Sequence, residues 1–161
     1  MDKKLQNAFN DQIKHELYSA YIYLAMAAYF ETKNLPGFAH WMKVQYKEEV
    51  SHAMKIFEFL NDRGEKVLLQ AIPQPPLEFE SSLKVFEETL KHERKVTSLI
   101  NALYELAKKA NDHAAVVFLQ WFVTEQVEEE KNAQVIIQTL QLIKSEGAPL
   151  IMLDRELARR E

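Results

Sequence analysis

A chain of 161 residues with a 47% hydrophobic fraction is long enough to bury a core and too apolar to be disordered. A formal net charge of −4 argues against a nucleic-acid partner, and the absence of cysteine excludes disulfides, thiolate zinc sites and cysteine-ligated clusters. The longest apolar run, Ala20 to Phe30, is too short to span a bilayer, and Met1-Asp2-Lys3-Lys4 does not open a secretory signal, so a cytoplasmic protein with no membrane partner is expected.

Glycine and proline fall in three places only: Pro36-Gly37, the stretch from Gly64 to Pro76, and Gly147 with Pro149. Both residues are expelled from helix interiors, so the segments between read as helix. The first helix is expected over 4–33. Asn34-Leu35-Pro36 reads as a cap with proline at the first helical position, starting a second helix over 37–63 that Gly64 stops. Ser81-Ser82 caps a third helix over 82–110, and Asn111-Asp112 turns the chain into a fourth over 113–145. A short fifth helix follows Pro149, at about 149–159. The expected fold class is all-α: a four-helix bundle over residues 1–146 plus the short helix, one domain over 1–161. A second helix of roughly 40 Å matches a proline-rich segment able to reach roughly 50 Å, which favours a crossover that leaves helices two and three parallel.

Each long helix carries a seam of alternating three- and four-residue spacing. The seam ends are apolar, but the middles hold Glu16 on the first helix, Glu49 and His52 on the second, Glu93 on the third, and Gln126 and Glu129 on the fourth. Glu16 and Glu49 are 33 residues apart, as are Glu93 and Gln126, which places one hairpin turn before Asn34 and the other before Asn111. The hairpins repeat at an offset of 77: Lys14-His15-Glu16 recurs as Lys91-His92-Glu93, Phe9 as Phe86 and Glu48 as Glu125. This pattern reads as an internal duplication.

Four carboxylates in one core layer must share protons, line a water-filled cavity or bind metal, because an unpaired buried charge costs several kcal/mol. Glu49-Val50-Ser51-His52 is a Glu-x-x-His motif with both side chains on one helix face. Together with carboxylates from the other helices it favours iron or manganese over a structural zinc.

Over nearly its full length the chain resembles the bacterial-type non-haem ferritins. The resemblance rests on Asp11-Gln-Ile-Lys-His-Glu16-Leu-Tyr-Ser-Ala-Tyr21, Glu48-Glu49-Val-Ser-His52, His92-Glu93, and Gln120-Trp-Phe-Val-Thr-Glu-Gln-Val-Glu-Glu-Glu130. It implies a homo-oligomeric 24-subunit shell that oxidises Fe(II) with dioxygen or hydrogen peroxide and stores ferric mineral. By position, it implies a first iron held by Glu16, Glu49 and His52, and a second by bridging Glu49, Glu93 and Glu129, with Gln126 beside them. A third iron position maps to Glu48, Glu125, Glu128 and Glu129, and Tyr23 and Trp121 take the family's aromatic positions near the centre.

Haem-containing bacterioferritins have Met where this chain has Val50, and a second Glu-x-x-His where it reads Gln126-Val-Glu-Glu129, so no haem is expected. Rubrerythrins need cysteines that are absent here, and the DNA-protecting mini-ferritins lack the fifth helix. Taken alone, Glu48, Glu125, Glu128 and Glu130 read as surface charges, Tyr23 and Trp121 as packing residues, and His15, His40, His92 and His113 as structural or exposed. The competing function is a discrete di-iron oxidase or peroxidase without a storage cage. A plain helical scaffold leaves the polar layer unexplained.

Overall fold

The computed structural model describes residues 1–161, which form five helices: α1 (Lys3–Thr32), α2 (Pro36–Asp62), α3 (Ser82–Lys109), α4 (His113–Leu142) and α5 (Gly147–Leu157). No helix is long and apolar enough to cross a membrane. The four long helices start and stop within three residues of the expected positions. Asp2, Ser81 and Asp112 cap α1, α3 and α4 by accepting hydrogen bonds from the first free amides of each helix. Asn34, Asn111 and Gly64 take left-handed backbone at the turns. The Asp112 carboxylate also accepts two 2.9 Å bonds from Arg63, tying the end of α2 to the start of α4.

Tyr23 contacts Glu93 and Met26 contacts Thr89, so α1 and α3 run antiparallel. With α1 also antiparallel to α2, the second and third helices are parallel, as the long crossover implies. That crossover lies along α1. The N-terminal ammonium meets Glu65 at 2.6 Å, Asn10 accepts from the Leu68 amide at 2.6 Å, and Gln70 donates to Asp11 at 2.6 Å. The core divides into an apolar cluster of 18 buried residues around Phe30, Phe38 and Phe86, and another of 13 around Phe9, Ile56 and Ile100. Between them lies the polar layer.

One expectation for the chain's capping is corrected. Asn34 does not cap α2: the N-cap is Leu35, which has no capping side chain. The free amides of Gly37 and Phe38 instead donate to Asp154 Oδ1 at 2.8 and 3.0 Å. Asp154 is therefore buried, at 7% exposure. A carboxylate beside a helix N-terminus also complements the macrodipole. The fifth helix begins at Gly147, so Pro149 sits in its first turn, where no amide donor is required.

Gly37 is obligatory for this docking, because a Cβ there would lie 1.6 Å from the Asp154 carbonyl oxygen. Gly37→Ala is expected to push α5 off α2 and lower stability by about 2 kcal/mol. Asp154→Ala should lose about 1 kcal/mol through the orphaned amides. Thermal unfolding with hydrogen exchange over 147–157 checks both, and unchanged protection in Gly37→Ala would contradict the packing.

Candidate metal centre

Helical periodicity puts Glu16, Glu49, His52, Glu93, Gln126 and Glu129 on the inner faces of four helices, and all six are buried, at 1–4% exposure. One ligand atom each from Glu16, Glu49 and His52 lies within 4.8 Å of the others, and the same holds for His52, Glu125 and Glu129. His52 joins both groups: Nδ1 lies 3.5 Å from Glu49 and Nε2 3.8 Å from Glu125. The imidazole is held edge-on by Trp121 and Phe122 at centroid distances of 5.3 and 6.1 Å.

Each carboxylate has an orienting partner. Gln12 donates to Glu16 at 2.8 Å, and Gln45 donates to Glu129 at 2.6 Å and to Glu49 at 3.4 Å. Glu93 accepts from the Tyr23 hydroxyl on one oxygen and from Gln126 at 3.1 Å on the other. Gln126 is braced in turn by Thr97 at 3.3 Å, whose hydroxyl donates to Glu130 at 2.7 Å. Neither the orienting role of Gln45 nor that of Thr97 was read from the sequence. Gln45 carried a signal, since it occupies a seam position next to the Glu49 turn, whereas Thr97 lies beside the seam and carried none.

The third-position residues are only partly assembled. Glu125 is half-buried and reaches His52. Glu48 is half-exposed and paired with Arg160, and Glu128 is exposed on α4 outside both ligand groups. Glu130 is half-buried, accepts from the Thr97 hydroxyl and lies 3.7 Å from Arg94. Trp121 keeps 39% of its surface exposed, with Lys55 Nζ 4.4 Å from its ring centroid. His92 is structural: it bonds to the Ser19 hydroxyl at 2.7 Å, and burial lowers its pKa to about 4, which keeps it neutral.

Burial raises the pKa of every layer carboxylate. Glu93 rises from its ordinary 4.5 to about 7 and Glu129 to about 8. Glu16 is raised by burial, and Glu49 well raised by burial and by repulsion from Glu93, Glu16 and Glu129. The Tyr23 phenol is pushed well up by burial and the neighbouring carboxylates, so it stays a donor. Without metal, the layer holds protons. Buried Glu16 Oε2 and Gln45 Oε1 still lack partners. A carboxylate-rich donor set with one imidazole and an unsatisfied buried oxygen fits a hard divalent cation.

The sign of the pH dependence follows. Between about 4.5 and 8 the folded state binds more protons than the unfolded chain, so stability from these groups is full below 4.5 and is lost as pH rises through the folded values of Glu93 and Glu129. Metal must displace those protons. Anaerobic Zn²⁺ binding at pH 6.5 should release about two or more protons per subunit, and fewer above pH 8.5. Calorimetry in buffers of different ionisation enthalpy measures this, and release independent of pH would contradict the protonated layer.

The family model described as a ferritin-like domain matches residues 6–143. The chain is 42% identical over 160 residues to a bacterial non-heme ferritin of Staphylococcus saprophyticus, covering 99% of this chain and 96% of that one. It is 38% identical, with the same coverage, to the bacterial non-heme ferritin of Staphylococcus aureus. Among solved structures it is similar to the open-pore ferritin of the hyperthermophilic archaeon Archaeoglobus fulgidus, with a TM-score of 0.99, 46% identity, and coverage of 100% of this chain and 99% of that one. An engineered closed form of the same ferritin gives a TM-score of 0.98 at 47% identity, covering 100% of this chain and 98% of that one. Four parallel and antiparallel seams closing on one carboxylate layer therefore have a family as well as a chemistry: the chain belongs to the ferritins, which oxidise iron and store it within multi-subunit shells.

Proposed function

We propose that each subunit oxidises two Fe²⁺ at one intra-subunit centre and passes the ferric product to a mineral inside a cytoplasmic 24-subunit shell, with all 161 residues acting as one domain. The observation that carries this reading is the convergence of Glu16, Glu49 and His52 ligand atoms within 4.8 Å. The first Fe²⁺ is held by these three residues and the second by Glu49, Glu93 and Glu129, with Glu49 bridging. Two Fe²⁺ give one electron each, and dioxygen with two protons leaves as hydrogen peroxide; where peroxide is the oxidant, it takes two electrons and two protons to give water. Carboxylate oxygens favour Fe³⁺ over Fe²⁺, which adds driving force. The Tyr23 hydroxyl and the Gln126 amide fix the two Glu93 oxygens, and Gln45 fixes Glu129, so the second position is oriented before metal arrives.

An organic substrate has no evident place at the layer. Glu16, Glu49, Glu93 and Glu129 line none of the five principal surface cavities. Sedimentation together with oxygen uptake tests the storage reading. The 18.8 kDa subunit should sediment as a large shell with a fast phase of two Fe²⁺ per subunit. A monomer that turns over iron would replace this reading with the discrete oxidase.

Glu48, Glu125 and Glu128 complete a third position with Glu129 and receive iron after the fast step. Changing all three to glutamine should leave the fast phase within about twofold while altering the iron-to-oxygen ratio and slowing later turnover. Unchanged stoichiometry and turnover would return these residues to the role of surface charges.

A further inference from the structure

The chain's last residues fold back onto the bundle. Beyond α5, the amides of Ala158, Arg159 and Arg160 continue a helical turn onto the carbonyls of Asp154, Glu156 and Leu157. His40 Nε2 donates to the Arg160 carbonyl at 2.6 Å. The Arg160 side chain, 18% exposed, lies over the buried Trp41 ring at 4.2 Å, with Nη1 donating to the Trp41 carbonyl at 3.3 Å. Its other nitrogen, Nη2, donates to Glu48 Oε2 at 2.5 Å. Glu48 directly precedes Glu49 in α2, and both Glu48 and Arg160 act electrostatically on Glu129, in opposite directions.

We propose that Arg160 is an internal counter-cation for Glu48, which holds this arm of the third iron position until a divalent ion displaces the guanidinium. The proposal rests on the reading of Glu48 as a third-position ligand. Three contacts on α2 fix the guanidinium, so it is pre-organised against the carboxylate and does not sample it from solvent. Guanidinium keeps its charge throughout the working range, so base does not open this pair, and a competing cation can. A divalent ion brings twice the charge of the guanidinium and competes with it for the Glu48 carboxylate. Coupling of this kind is reciprocal: if Arg160 weakens metal binding at Glu48, bound metal weakens the hold of Arg160 on Glu48 by the same factor. Arg160 is thus a positioning residue that orders the filling of the centre, keeping Glu48 out of the first two coordination events.

The test is anaerobic Zn²⁺ titration by calorimetry of the assembled wild-type protein, Arg160→Gln, Arg160→Lys and Glu48→Gln. Zinc is redox-inert, so binding is read apart from oxidation. Arg160→Gln should tighten the weakest class of sites about fivefold and leave the two tighter classes unchanged. Arg160→Lys should fall between wild type and Arg160→Gln, because it keeps the charge but not the planar fork stacked on Trp41, and Glu48→Gln should lose the weakest class. A merely structural Arg160 would lower the melting temperature and leave the isotherm as in wild type, which would overturn the proposal while the third position stands. Wild type and Glu48→Gln with identical isotherms would remove Glu48 from the third position, and the proposal would fall with it.

Discussion

Alanine at Glu49 or His52 is expected to slow the fast phase of Fe²⁺ oxidation by about a hundredfold or more while the bundle remains folded. Glu49 is the proposed bridge between the two iron positions, so its loss weakens both, whereas the loss of His52 strips the first. The two variants should differ in stability. Burial, and after it Glu93, Glu16 and Glu129, raise the pKa of Glu49, so without metal its carboxyl is held at a cost and stability holds or rises when it is removed. His52 packs against Trp121 and Phe122, and its truncation leaves a gap costing about 1–2 kcal/mol. Stopped-flow absorbance measures the rate and thermal unfolding measures the stability. Wild-type kinetics in both variants would place the oxidation elsewhere.

Leu24→Glu should break the shell into dimers or smaller species. Ala20 to Phe30 is apolar on every side of α1, yet the subunit core takes only part of it: Tyr23, Met26, Ala27 and Phe30 are buried, whereas Tyr21 and Leu24 keep 46% and 40% of their surface exposed. An apolar strip of this kind belongs against another subunit. A carboxylate introduced there must be desolvated at every copy of the contact, at several kcal/mol each. Leu24→Ala loses only packing and should still assemble. Sedimentation velocity separates the outcomes, and an intact shell carrying Leu24→Glu would show that this face meets solvent.

The helices were legible because glycine and proline mark their ends, and the metal layer was legible because a carboxylate in an apolar seam has few explanations. What stayed hidden was long-range. The N-terminus of α2 is capped by Asp154, 117 residues away, and no local pattern distinguishes that from a cap by Asn34. Spacing assigns faces to a helix but not the partner on each face. The pairing of Glu48 with Arg160 was hidden for the same reason, since it depends on where the tail lands. Gln45 lay in plain view in its seam, but glutamine alone does not reveal which carboxylate it orients.

The crossover along α1 has a consequence for biogenesis. Glu16, Glu49 and His52 all belong to the hairpin of α1 and α2, whereas Glu93, Gln126 and Glu129 belong to that of α3 and α4. Translation therefore delivers one half of the centre, and the strap pinned by Asn10, before the other half exists. Each hairpin closes through local contacts and forms quickly, so the joining of the two is the slow event in maturation. That joining brings the carboxyls together, and the protons they hold let the newborn subunit fold without iron.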